Sequence, residues 1–79
     1  MIITQTANQY RQPQTYKHTI DEQITIRKAA KIYGHTDDII RLYDDEDNLL
    51  AIAVWPQGSK AYKYCTSPDK QHLPGAWRY

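Results

Sequence analysis

The residue types best suited to chemistry lie in Gly34-His35-Thr36-Asp37-Asp38, where one imidazole and two carboxylates stand close together. Imidazole and carboxylate groups bind divalent metals such as zinc. A catalytic zinc site needs a third protein ligand, and neither His18 nor His72 stands at a spacing that brings it to this segment. We therefore interpret the segment as a turn, with Asp and Thr side chains bonded to main-chain amides and Gly34 at a positive φ, and expect no metal and no cofactor.

Acidic residues are concentrated in one stretch of the chain. Residues 37–48 carry six acids against Arg41, a net charge of −5, whereas residues 1–36 and 49–79 each carry +3. Such a stretch is typical of a solvated turn that prevents edge pairing, or of a patch that docks on a basic partner surface. If the patch is functional, we expect the contacts with a partner to come from His35, Asp37, Asp38, Asp44, Asp45, Glu46 and Asp47.

Enzymatic function is not indicated by the remaining residues. Cys65 lies in a predicted strand, where a buried apolar thiol is expected more than a nucleophile. Glycine occurs only at positions 34, 58 and 75, which excludes both the phosphate-binding loop and the dinucleotide-binding fingerprint. We therefore expect a protein that is not an enzyme.

Two features suggest nucleic-acid binding as the alternative function. Aromatic and basic residues alternate near both ends of the chain, a composition that single-strand stacking surfaces use: Tyr10, Arg11, Tyr16, Lys17, Lys60, Tyr62, Lys63, Tyr64, Trp77, Arg78 and Tyr79. Residues 26–34 also resemble the first helix and turn of the pipsqueak-type helix-turn-helix. Its recognition helix would open with Asp37 and Asp38, which phosphates repel.

The clearest structural prediction is a β-hairpin formed by residues 39–43 and 49–55. The connecting Asp44-Asp45-Glu46-Asp47-Asn48 is rich in turn formers, and both flanks are rich in strand formers. Strict alternation predicts two apolar faces, one with Ile40, Leu42, Leu50, Ile52 and Val54, so both sides of the hairpin should be covered. Residues 61–65 predict a third strand with Tyr62 and Tyr64 on one side.

Residues 24–33 fit both a strand and a helix. As a strand they place Ile24, Ile26, Ala30 and Ile32 on one face, with Lys28 as the exception. As a helix they have an apolar stripe of Ile26, Ala29, Ala30 and Tyr33, a capping box from Thr19 to Glu22, and a stop at Gly34. We favour the strand, and predict further strands at residues 2–6 and 16–20.

Length and composition limit the class of protein to which the chain can belong. The 79 residues suffice for one domain, residues 1–79, in which residues 1–20 could form a partly ordered arm. One cysteine excludes an internal disulfide, and no signal peptide or membrane-spanning run is recognisable. We expect a cytoplasmic, mainly β protein: a small antiparallel sheet, meander or barrel-like, with or without one short helix, α+β being the alternative.

The order Lys31-Ile32-Tyr33-Gly34-His35-Thr36-Asp37-Asp38-Ile39-Ile40, followed by a tyrosine-bearing strand and Gly75-Ala76-Trp77-Arg78, resembles a group of small uncharacterised phage and prophage proteins. The resemblance covers about half of the chain. It implies an antiparallel sheet with the aspartates in a turn between strands and Trp77 packed at the end, and it favours the strand over the helix at residues 24–33. After Ile40 the pattern departs, because Arg41-Leu42-Tyr43-Asp44 stands where a glycine turn is usual.

Small accessory proteins of phages and mobile elements commonly bind host proteins. By this analogy of class we expect a non-enzymatic inhibitor of host defence, such as an anti-CRISPR, acting in the host cytoplasm. The acidic loops would mimic nucleic acid toward a basic channel. The expected partner is a host protein or protein complex, with nucleic acid as the alternative, self-association into a homodimer also compatible with the sequence, and no membrane.

Overall fold

A computed structural model describes residues 1–7 and 12–79 of the chain. It contains a five-stranded antiparallel sheet in the order β2-β1-β3-β4-β5 and one helix. The elements are β1 Ile2–Ala7, β2 Gln14–Thr19, α1 Ile26–Tyr33, β3 Ile39–Tyr43, β4 Leu49–Val54 and β5 Lys63–Cys65, followed by 3₁₀ turns at Pro68–Lys70 and Pro74–Ala76. The predicted mainly β, antiparallel domain is confirmed, and it contains one helix. Of residues 1–20, the described ones supply β1 and β2.

The predicted strand at residues 24–33 is wrong, because this segment forms α1. The Thr25 side chain accepts a hydrogen bond from the Lys28 amide at 3.2 Å and caps the helix, whereas Thr19 ends β2. The helical period buries Ile26, Ala29 and Ala30 together against the sheet. It also removes the conflict of the strand interpretation, since Lys28 then faces solvent.

The helix-turn-helix, which the sequence analysis considered as an alternative and argued against, is excluded by the structure. The residues that would form the recognition helix are the strand β3, which pairs with β1 on one side and with β4 on the other. The turn containing Asp37 and Asp38 consequently lies between a helix and a strand, and not between two strands as the resemblance implied.

The hairpin of β3 and β4 is confirmed, but the predicted assignment of its faces is wrong. Tyr43 pairs with Leu49, whereas Leu42 pairs with Ala51, so a bulge at Leu50 interrupts the register. A bulge adds one residue to a strand and exchanges the two faces beyond it. Ala51 and Ala53 therefore join Ile40 and Leu42 beneath α1, in place of Leu50, Ile52 and Val54. These small residues leave room for the helix.

The sheet face opposite α1 is covered where β4 and β5 meet. Ile52 and Cys65 are paired there and buried, so both faces of β4 carry buried residues as predicted. The Cys65 thiol donates a hydrogen bond to the Ser67 carbonyl at 3.2 Å, which confirms the buried thiol. Trp77 donates from Nε1 to the Gln71 carbonyl at 2.7 Å and thereby links the two C-terminal 3₁₀ turns.

Candidate functional site

The turn from His35 to Asp38 is closed by the Asp38 carboxylate. Asp38 Oδ2 accepts hydrogen bonds from the His35 amide at 2.9 Å and from Gln5 Nε2 at 3.0 Å. The His35 carbonyl in turn accepts from the Asp38 amide at 3.2 Å and from the Tyr62 hydroxyl at 2.8 Å. With 2% of its surface exposed, Asp38 lies inside the fold and locks the turn.

The Asp38 carboxylate belongs to a polar network that links β1, β2 and α1. His18 Nε2 lies 3.4 Å from Gln5 Oε1, and its ring stacks on the Tyr33 ring with the centroids 4.2 Å apart. Among residues 1–7 and 12–79, no group of three or more His, Cys, Asp or Glu side chains could hold a metal ion. The hydrogen bonds of His35 and Asp38 close the turn and give this segment a structural role.

Burial controls the ionisation of Tyr62. Its hydroxyl lies in the core beside Asp38, and desolvation, followed by the negative charge of Asp38, raises the pKa of the phenol far above its ordinary value. The phenol stays protonated and acts as a hydrogen-bond donor to His35 at any physiological pH.

Two positions in the acidic loops have a left-handed backbone, but Gly34 does not. Asp37 and Asp47 have φ values of 69° and 64°, which aspartate tolerates better than most residues. Gly34, predicted at a positive φ, has a φ of −80°. Its lack of a side chain is instead required by close packing, because a Cβ there would collide with the Tyr62 hydroxyl and the Ala30 carbonyl.

The turn between β3 and β4 is held by the Asp44 carboxylate. Oδ1 accepts from the amides of Glu46 and Asn48, both at 2.9 Å, and Oδ2 accepts from Asn48 Nδ2 at 3.1 Å. The hydrogen bonds from Asn48, and secondarily the one from the Glu46 amide, lower the pKa of Asp44 from its ordinary value of 3.8. Asp45, Glu46 and Asp47 are exposed around this fixed loop.

The structure separates the two acidic loops that the sequence analysis grouped together. His35, Asp37 and Asp38 precede β3, and the Asp44 loop follows it. A strand advances roughly 3.3 Å per residue, so the five residues of β3 hold the loops on the order of 15 Å apart, at opposite ends of the sheet.

The Asp44 loop gains two acidic neighbours that the sequence analysis missed. The Met1 amino group donates to the Ile20 carbonyl at 2.7 Å and pairs with Asp45 Oδ1 at 2.9 Å, so the segment after β2 lies beside the loop. Asp21 and Glu22 follow Ile20 and are exposed. We call this set the acidic end: Asp21, Glu22, Asp44, Asp45, Glu46 and Asp47. Only the pairing of β1 with β2 could have indicated it.

Acidic and basic side chains are not paired with each other in the described part of the chain. Among residues 1–7 and 12–79, no Lys or Arg side chain lies within 4.0 Å of an acidic side chain, and the only ion pair is that of the Met1 amino group with Asp45. The charge segregation of the sequence is therefore preserved in three dimensions. Basic side chains instead contact aromatic rings: Arg27 lies over Tyr64 and Lys63 over Tyr79.

The predicted aromatic and basic residues do not form one surface. Tyr62 is buried in the core, Tyr64 lies under Arg27, and Tyr16 is on the opposite edge strand, β2. Tyr10 and Arg11 lie outside the described residues. Arg27, which the sequence analysis did not include in this group, is the residue that organises its C-terminal part.

We expect Asp44→Ala to loosen the β3–β4 turn, because three hydrogen bonds lose their acceptor. In the wild type the same loss should occur as the pH falls below the ordinary carboxyl value of 3.8 and through the lowered pKa of Asp44, since the charged form is the stabilising one. Amide hydrogen exchange at Glu46 and Asn48 should accelerate in the variant, whereas Asp45→Ala should leave it unchanged. Unaltered exchange in Asp44→Ala would contradict this role.

No protein-family model, no curated protein and no solved structure matches this chain. In residues 1–7 and 12–79, no helix has the length and apolar character required to cross a membrane. The class that the fold defines is a small antiparallel β domain with one helix packed on the sheet.

Proposed function

We propose that this chain is a non-enzymatic binding protein whose acidic end docks on a basic surface of a partner protein. The observation that carries the proposal is that, among the described residues, no Lys or Arg side chain neutralises these carboxylates. Among the described residues only Asp45 of this set has a cationic partner, the Met1 amino group at 2.9 Å, so most of the negative charge of the acidic end is uncompensated. Such a charge attracts an oppositely charged surface and accelerates encounter with it. The acidic end therefore has the electrostatic character of a ligand for a basic channel.

The fixed shape of the loop supports this function. Asp44 uses its carboxylate to hold the turn, and the exposed carboxylates of Asp45, Glu46 and Asp47 project from a backbone that is already ordered. A preorganised loop loses little conformational entropy on binding. Asp37 and Asp38 contribute less to such a surface, since Asp38 is buried and both lie at the other end of β3.

The resemblance to small phage proteins extends the proposal to the kind of partner. The partner would be a host protein complex that normally holds nucleic acid in a basic channel, and the chain would act in the host cytoplasm as an inhibitor of host defence, for example as an anti-CRISPR. The carboxylates would take the place of phosphates in that channel.

The experiment is purification of a tagged chain from nuclease-treated host lysate, followed by affinity measurement with the captured complex. In the variant Asp45→Asn/Glu46→Gln/Asp47→Asn we expect roughly tenfold weaker binding or more, because each exposed charge contributes up to about 1 kcal/mol. The matched pair is Asp47→Asn and Asp37→Asn, which remove the same charge from the same left-handed backbone at opposite ends of β3.

The proposal requires that Asp47→Asn weakens binding and that Asp37→Asn does not, with circular dichroism and thermal unfolding unchanged in both. Equal affinity of the triple variant and the wild type would reject the acidic end as the contact surface. Loss of binding in Asp37→Asn alone would move the contact to the His35 turn.

A further inference from the structure

A cleft lies between one side of α1 and the β5 edge of the sheet. It consists of two adjoining cavities, of about 290 and 500 Å³, which share Arg27 and Tyr64 in their linings. Arg78 contributes to the first cavity and Lys31 to the second, and no acidic side chain lines either cavity in the described part of the chain. The lining of the cleft is therefore positively charged, whereas the acidic end is negatively charged.

Arg27 is held in place at the junction of the two cavities. Its guanidinium carbon lies 4.2 Å from the centre of the Tyr64 ring, and its Nη2 donates to the Tyr79 main-chain oxygen at 2.6 Å. The guanidinium thus lies over an aromatic ring, and Arg27 as a whole is exposed. A guanidinium fixed in this way retains further N–H donors for phosphate oxygens.

Aromatic side chains accompany the cations along the cleft. Trp55 and Tyr62 line the larger cavity together with Tyr64, and the Trp55 and Tyr62 rings meet edge to face at 5.2 Å. Surfaces that combine cations with aromatic and guanidinium planes are those on which single-stranded nucleic acids stack their bases.

We propose that this cleft binds single-stranded nucleic acid, with phosphates on Arg27, Lys31 and Arg78 and a base stacked on the outer plane of the Arg27 guanidinium. The charge of the lining selects an anion, and the exposed Arg27 guanidinium, supported from below by the Tyr64 ring, offers a plane on which a base of that anion can stack. Because the two cavities share lining residues, the cleft favours an oligonucleotide over a single nucleotide. This inference is independent of the docking proposed for the acidic end.

The test is fluorescence anisotropy of the full chain with labelled oligo-dT and oligo-rU of about 12 nucleotides, a length within the range that small single-strand-binding domains cover. Arg27→Ala should weaken binding about tenfold, and the slope of log affinity against log salt should become shallower by roughly 0.7, the loss of one phosphate contact. Lys28→Ala is the matched control, because it removes one positive charge from the adjacent exposed position of α1 outside the cleft.

Arg27→Lys keeps the charge but loses the planar stack, so it should bind more weakly than the wild type and more tightly than Arg27→Ala. Thermal unfolding of each variant verifies the fold, and Arg27→Lys decides the question if Arg27→Ala unfolds. Three results would overturn the inference: no binding at about 50 mM salt, equal losses in Arg27→Ala and Lys28→Ala, or binding of thymidine monophosphate or inorganic polyphosphate as tight as that of the oligonucleotides.

Discussion

Gly34→Ala is expected to lower the free energy of unfolding by about 3 kcal/mol, the upper part of the usual range for overpacking a core. The added methyl group would collide with the Tyr62 hydroxyl and with the Ala30 carbonyl. Neither neighbour can yield easily, because Ala30 is helical backbone and the Tyr62 hydroxyl is bonded to the His35 carbonyl at 2.8 Å. The backbone angles of Gly34 are ordinary, so the loss arises from packing alone.

Chemical denaturation and thermal unfolding measure this loss. A domain of this size is stable by about 4–12 kcal/mol in total, so the melting temperature should fall by on the order of 15 °C. Gly75→Ala is the matched control, because a Cβ there meets no atom within 4 Å, and it should change stability by less than about 0.5 kcal/mol. Equal stability of the two variants would show that the end of α1 can move away from β5.

The sequence carried enough information for the β3–β4 hairpin. Its turn is rich in Asp and Asn, its flanks are rich in strand formers, and both features act over a few neighbouring residues. The faces were not predictable in the same way, since one extra residue at Leu50 exchanges them. Alternation alone cannot reveal a bulge. Here the bulged register is favoured by packing between distant parts of the chain, because Ala51 and Ala53 allow α1 to approach the sheet.

The helix was mispredicted because residues 24–33 satisfy two periods almost equally well. The signals that decide between them are local, namely the Thr25 cap and the single mismatch of Lys28 in the strand pattern. The capping box from Thr19 to Glu22 was misleading, because Thr19 pairs with Ile2 and therefore ends β2. Pairing between distant segments overrode a plausible local motif.

The candidate site, like the fold, could be predicted only in part from the sequence. Charge segregation could be predicted from the sequence, and it survives in the structure as an absence of internal Lys or Arg ion pairs among the described residues. Which carboxylates share a surface could not be predicted, because strand register brings Asp21 and Glu22 toward Asp45 and removes Asp37. The role of Arg27 could not be predicted either, because its aromatic partner Tyr64 lies 37 residues away in the chain.

Asp38 shows why an acidic residue in a charged segment need not face a partner. It is 2% exposed and accepts from two N–H groups, those of the His35 main chain and the Gln5 side chain. Asp38→Ala should therefore cost about 3 kcal/mol of folding free energy, because two donors lose their acceptor in a partly buried place. Asp38→Asn retains an acceptor oxygen of the same shape and should cost about 1 kcal/mol.

Denaturant titration measures these costs, with Asp37→Asn as the control at the adjacent position. A double-mutant cycle between Gln5→Ala and Asp38→Asn should give a non-additive term, because the two side chains share a hydrogen bond of 3.0 Å. Folded Asp38→Asn should bind the partner of the acidic end with the wild-type affinity, since its carboxylate acts inside the turn and on the far side of β3. An Asp38→Asn variant that is fully stable but defective in binding would refute this assignment and return Asp38 to the contact surface.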